Sequence, residues 1–162
     1  MFTKNDMVIY KGDVCKIIDI KNNSFSNKMC YMLVPLYDES LTISVPTDND
    51  GYIKSILSKK EVLDLIKKIP KIEVIDVDSK LIENEYKNLF RSGSHEDLIK
   101  IIKTTYMRNK KRIECKRSIG EKDKEYFDKA ERKLYGEFSI VLGMSVDDVR
   151  KFIVKTVQDN IQ

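Results

Sequence analysis

Residues 6–20, DMVIYKGDVCKIIDI, decide the fold class of this chain. Met7, Val8, Ile9 and Tyr10 make one apolar, β-prone run, and Val14, Ile17, Ile18 and Ile20 make a second. Lys11-Gly12-Asp13 between them reads as a tight turn, with Gly12 supplying the positive φ that short hairpins require. A lone hairpin cannot bury enough apolar surface to persist in water, so further strands must follow.

Working outward, residues 21–27 (KNNSFSN) read as a polar loop. Residues 28–36 read as a third strand, with Met29, Tyr31, Leu33 and Pro35 on one face and Cys30, Met32, Val34 and Leu36 on the other. Residues 37–40 connect it to a fourth strand over residues 41–45, with Leu41, Ile43 and Val45 inward and Pro46 ending it. Gly51-Tyr52-Ile53 adds a short fifth. Four or five short strands, depending on that last segment, predict a small SH3- or Tudor-like antiparallel β-barrel over residues 1–55.

The pattern then changes period. Ser58-x-x-Glu61 is a capping box before Val62, Leu63, Leu65, Ile66 and Ile69, and Pro70 stops that helix. A second helix is expected over residues 79–91, packed through Leu81, Ile82, Tyr86, Leu89 and Phe90 and ended by Ser92-Gly93. Ser94 opens a third, buried through Leu98, Ile99, Ile101, Ile102, Thr105 and Tyr106, with His95 exposed in its first turn. Residues 109–117 (NKKRIECKR) read as a basic corner. Residues 118–121 cap a long fourth helix with Tyr126, Phe127, Ala130, Leu134 and Phe138 inward, and Met144-Ser145 opens a last helix carrying Val149, Phe152, Ile153 and Val157. The expected class is α+β: the barrel, then a five-helix domain over residues 56–162.

Composition narrows the function. Six lysines face seven acids through residue 57, a net of −1; the remaining 24 bases face 19 acids, a net of +5. Residues 100–133 alone hold 13 bases and 6 acids, so +7 lies in one helical stretch, which points to a polyanion partner on that side. No apolar run is long enough for a membrane span, and the N-terminus MFTKNDM lacks a signal-peptide core, so a cytoplasmic chain is expected. Cys15, Cys30 and Cys115 lack CxxC spacing, and the single histidine has no nucleophile spaced to it. Neither a metal site, a cofactor nor an enzyme is expected; a Cys-thiolate enzyme is the least favoured rival.

Phe2, Asp6-x-Val8-Ile9-Tyr10, Gly12 and the isoleucine run that follows resemble the opening of the CarD family of bacterial transcription regulators. Residues 41–46 (LTISVP) resemble that family's fourth strand, and a similar module occurs in transcription-repair coupling factor. In the helical half the family pattern is similar to Ser92-Gly93, Tyr106-Met107-Arg108, Ser118-Ile119-Gly120-Glu121-Lys122 and Ala130-x-x-x-Leu134-x-x-Glu137-Phe138. The resemblance implies a β module bound to the RNA polymerase β subunit through Ile43, Ser44, Val45 and Pro46, with Asn23 nearby. Ser44 stands where several relatives carry a contacting arginine, a polar loop residue near Asn23 replaces a second such arginine, Asn5 replaces a Gly, and Lys11 stands where Pro is usual.

The resemblance also implies a helical domain on promoter DNA at the edge of the melted region, with Lys80, Lys87, Arg91, Lys122, Lys124 and Lys129 on phosphates. The family wedges a Trp into the minor groove, and this chain has no Trp. Counting back from Gly93 puts Ser79 at that position; aligning on Tyr86-Lys87 puts Ile82 there, with Leu81 beside it. The expected function is a monomeric, non-enzymatic regulator that binds polymerase and stabilises open promoters through largely sequence-independent contacts. The rival from another class is a Tudor- or KOW-like RNA- or ribosome-binding module with a helical extension.

Overall fold

The computed structural model describes residues 1–161, and the side chains of all of these except residues 49–50 and 158–161. The chain divides after Leu57 into two compact units, each with its own core, and the class is mixed α+β.

In the first unit, β1 (Met7–Tyr10) turns into β2 (Asp13–Asn23) through Lys11-Gly12 alone, since Tyr10 and Asp13 are paired across the hairpin. Both turn residues have positive φ, 51° and 85°, as a two-residue turn matched to the strand twist demands. Asn5 sits at φ 75°, a conformation Asn tolerates better than most side chains. Backbone bonds from Asn5 N to Ile17 O (2.7 Å) and from Ile17 N to Asp6 O (2.9 Å) tie this entry segment to β2.

The stretch read as a loop continues β2 instead. Lys21, Asn22 and Asn23 pair with Cys30, Met29 and Lys28 of β3 (Lys28–Pro35), and only residues 24–27 form the turn. Asn23 makes this possible: its Oδ1 accepts from Phe25 N at 2.8 Å, giving the turn a side-chain bond, and Asn27 closes it at φ 54°. A register shift between Ile17 and Asp19 marks a bulge, which leaves Ile17 in the core and turns Ile18 outward.

β4 (Ile43–Pro46) starts two residues later than expected, and Leu41 is 42% exposed instead of inward. Asp38, whose backbone and side chain hold residues 40 and 41 in a turn, keeps Leu41 out of the ladder. A 3-10 turn (Thr47–Tyr52) leads to β5 (Ile53–Ser55), which pairs with β1. The antiparallel sheet has the order β4-β3-β2-β1-β5, so β4 and β5 are its edges. Val8, Cys15, Ile17, Tyr31, Leu33, Val45 and Ile53 form its core, and Phe2 packs edge-on against Tyr31.

The second unit holds α1 (Lys59–Lys68), α2 (Ile82–Ser92), α3 (His95–Glu114), α4 (Glu121–Leu142) and α5 (Val146–Ile161). Ser58 and Ser94 cap α1 and α3 through Glu61 N and Asp97 N, and Gly93 ends α2 in the left-handed region. Three expectations change here. α2 starts at Ile82, because a turn closed by Leu81 N on Asp78 O (2.8 Å) occupies Ser79 and Lys80. The basic corner is helical through Glu114, and α4 is capped by Gly120 without a side-chain bond. Tyr106 is 57% exposed, since α3 offers its packing stripe through Leu98, Ile101, Ile102 and Thr105.

The helical core is stitched by polar groups. Asp123 accepts from the Tyr86 hydroxyl (2.6 Å), from Arg108 Nε (3.1 Å) and from Arg112 Nη1. Glu131 accepts from Arg150 Nε at 2.6 Å. His95 is not a solvated first-turn residue, because its Nε2 lies 2.8 Å from Oε1 of buried Glu137. Lys103 Nζ donates to the carbonyls of Ile69 (3.0 Å) and Ile72 (2.7 Å), holding the connector after α1 against α3.

Candidate functional site

In the β unit, Ile43, Ser44, Val45 and Pro46 make up β4, whose outer edge has no neighbouring strand in the sheet. Val45 faces the core and Ser44 faces solvent. Asn23, expected in a loop, is the last residue of β2, and its Nδ2 donates to Ser44 Oγ at 3.0 Å. Two residues separated by 21 positions, both singled out from sequence, thus meet on one surface beside an open edge. Such an edge presents alternate backbone N–H and C=O groups that an added strand can pair with.

The helical candidates divide by their partners. On α4, Lys124 lies 2.8 Å from Asp128, Lys129 3.0 Å from Glu125, and Lys122 3.3 Å from Glu125 and 3.6 Å from Glu83. The bonds from Lys129 and then Lys122 hold the Glu125 carboxyl below its ordinary value, and the bond to Glu125 lifts Lys122 above its own. On α2, Lys87 lies 3.6 Å from Glu83. Much of the positive charge counted in the sequence is therefore answered within a turn of helix. Lys80 and Arg91 are exposed and have no ion pair among the described residues. Ile82 is only 7% exposed and belongs to the core, whereas Leu81, just before α2, is 54% exposed.

A second cationic feature lies elsewhere. Ser79, Arg108, Lys111, Arg112, Cys115 and Arg117 line a concavity of about 240 Å³. Arg108, Lys111 and Arg112 recur at helical spacing along one face of α3, Cys115 follows in step at its C-cap, and Arg117 joins from the segment beyond. Arg108 and Arg112 are half-buried and anchored on Asp123; Arg112 Nη1 also donates to Asn109 Oδ1 at 2.7 Å. Burial pushes the Asp123 carboxyl up, but the Tyr86 hydroxyl, Arg112 and Arg108 outweigh that and hold it below its ordinary value. Gly120 leaves room for the guanidinium, since a Cβ there would stand 2.3 Å from Arg112 Nη1. Lys111 and Arg117 have no ion pair among the described residues.

The structure brings Ser79 to this concavity and leaves Lys122, Lys124 and Lys129 out of its lining. Arg108, Lys111, Arg112 and Arg117 were not singled out from sequence as site residues. The signal for them was the i, i+3, i+4, i+7 recurrence, hidden by reading residues 109–117 as a corner. On the other side of α3, a larger apolar groove of about 530 Å³ runs between Tyr106, Ile113, Ile119 and Phe127. No helix among the described residues is long and apolar enough to cross a membrane. No protein-family model matches this chain, and no curated protein matches it.

Proposed function

We propose that this chain is a CarD-like, non-enzymatic transcription regulator of the bacterial cytoplasm, bound to the RNA polymerase β subunit through its β unit. The observation that carries the reading is the open outer edge of β4 with Asn23 and Ser44 bonded beside it. The bond joins two short polar groups beside that edge, one of them, Ser44, at a position where the resembled family carries an arginine. Polymerase contact here rests on strand addition at Ile43–Pro46 and on a neutral polar pair, not on charge. In this reading the sheet curls into a partly open SH3- or Tudor-like barrel that leaves the outer edge of β4 free for an added strand. Support comes from the single 3-10 turn that joins the two edge strands, β4 and β5, and so keeps their ends close.

The helical unit contacts promoter DNA through phosphates, using the exposed Lys80 and Arg91 near Ser79 and α2. With no Trp and with Ile82 in the core, Leu81 is the apolar side chain placed to enter a minor groove. Calorimetry of the full chain against the polymerase β subunit tests the tether. A one-to-one complex is expected, weakened about tenfold by Ser44→Asp, which sets an unpaired charge at the rim. Absence of any complex ends the tether reading, and tighter binding to RNA than to bubble DNA with polymerase present replaces it with the RNA-binding one.

A further inference from the structure

We propose that the concavity formed by Ser79, Arg108, Lys111, Arg112 and Arg117 is a binding site for a phosphate group, a role assigned to none of these four cations by the resemblance. Four cations and no carboxylate line the concavity, and Asp123, paired with Arg108 and Arg112, offsets one of the four charges, leaving a net of +3 among these five groups. The C-terminal partial charge of α3, about −0.5, works against an anion but is several times smaller. Nor are the cations needed to cap α3. Its last carbonyls are already satisfied by backbone, with Arg117 N on Arg112 O (2.8 Å) and Lys116 N on Ile113 O (3.0 Å).

The lining offers donors almost exclusively. Arg108 commits its Nε–H to Asp123 and keeps further N–H groups, and Arg112 keeps its Nε–H and Nη2 amine. Because Asp123 and Asn109 hold these two forks in place, little side-chain entropy is lost when an anion arrives. Lys111 and Arg117 add two exposed charges without an ion pair among the described residues, matching the two negative charges of a terminal phosphate near neutral pH. A tetrahedral group with three acceptor oxygens can meet donors from both α3 and the following segment, which a planar carboxylate does less completely. The volume admits one or two phosphates, and the lining holds no aromatic ring on which a base could stack.

The same chemistry can come from a free phosphorylated small molecule or from a nucleic-acid backbone. The site stands independently of the polymerase tether, because its test uses the free protein. Calorimetry with pyrophosphate at fixed ionic strength is expected to show one saturable site per chain. Lys111→Ala with Arg117→Ala, both surface positions, should weaken it by about tenfold for each cation removed, while Lys151→Ala with Lys155→Ala, exposed on α5 and outside the lining, leaves it unchanged. Thermal unfolding of each variant without ligand checks that its fold is kept. Absence of saturable binding at millimolar pyrophosphate overturns the site, as does binding that survives the first pair or falls equally with the second. Duplex DNA then separates the sources: displacement of pyrophosphate assigns the phosphate to the backbone, and simultaneous binding assigns it to a free ligand.

Discussion

Among the described residues, the β unit buries no charged side chain, whereas the helical unit buries Asp123, Glu131 and Glu137. The contrast follows from where each backbone finds its partners. Strands satisfy their N–H and C=O groups by pairing with one another, so pairing itself fixes how the pieces fit, and an apolar inner face suffices. Helices satisfy theirs internally, and nothing in the backbone then fixes how one helix lies on the next. Here Asp123 on α4 receives bonds from α2 and α3, Glu131 from α5, and Glu137 from α3. Each buried carboxylate therefore ties α4 to a particular neighbour. The outer surfaces differ likewise, with a backbone edge on one unit and charged side chains on the other.

The largest expected break in this contrast is Asp123→Ala. It leaves two half-buried guanidinium groups and the Tyr86 hydroxyl without their acceptor, at a cost of about 3–5 kcal/mol. Urea unfolding followed by helical circular dichroism should register the loss, while hydrogen exchange in β2 and β3 stays unchanged. Equal loss of protection in the sheet would mean that the two units unfold as one block.

Charge also gives the units opposite weak ends of the pH scale. The Asp123 carboxyl is held below its ordinary value in the folded chain, so its contribution is present above that value and is lost as acid protonates it, below about pH 4. The Cys15 thiol in the β core is instead pushed up to about 11 by burial, with Asp13 adding to the effect. Folding there favours the protonated thiol. Stability is full below the ordinary value of 9.0 and falls as pH rises toward 11, by up to about 2–3 kcal/mol. Tyr86 and Tyr135, also raised by burial, bring the helical unit into that regime only above about pH 10. Sheet amide resonances followed by NMR to high pH should show the alkaline loss, and Cys15→Ala should remove it. An alkaline loss that persists in the variant would assign the sensitivity to another group.

The smallest expected effect sharpens the hairpin. Lys11 occupies a left-handed position where a two-residue turn prefers Asn, so Lys11→Asn should stabilise the β unit by about 0.5–1 kcal/mol without touching the helices. A thermal midpoint unchanged in sheet signals would show that the contact of Lys11 with the Tyr10 ring compensates.

What could be read ahead of the structure was what neighbours in sequence decide. The hairpin at Gly12, the caps at Ser58 and Ser94 and the stop at Gly93 are local chemistry, and they lie where the residues put them. Leu41 and Tyr106 misled because alternation and helical spacing mark apolar side chains without saying whether a partner surface reaches them. The basic concavity was hidden for another reason. Ser79 lies far from Arg108 and Arg117 in sequence, and no period links a turn before α2 to the end of α3. A count of charges also does not show that Glu125 and Asp128 pair with the cations on α4.

The three thiols of the chain are unequal in a way that serves experiment. Cys15 and Cys30 are each 1% exposed inside the sheet unit, while Cys115 is exposed and lines the basic concavity. A maleimide reagent added to the folded protein therefore finds one address. A fluorophore carried there reports on the surroundings of Arg108 and Arg112 without removal of any native cysteine, so the chain comes with its own labelling handle at the place where its partner chemistry is to be measured.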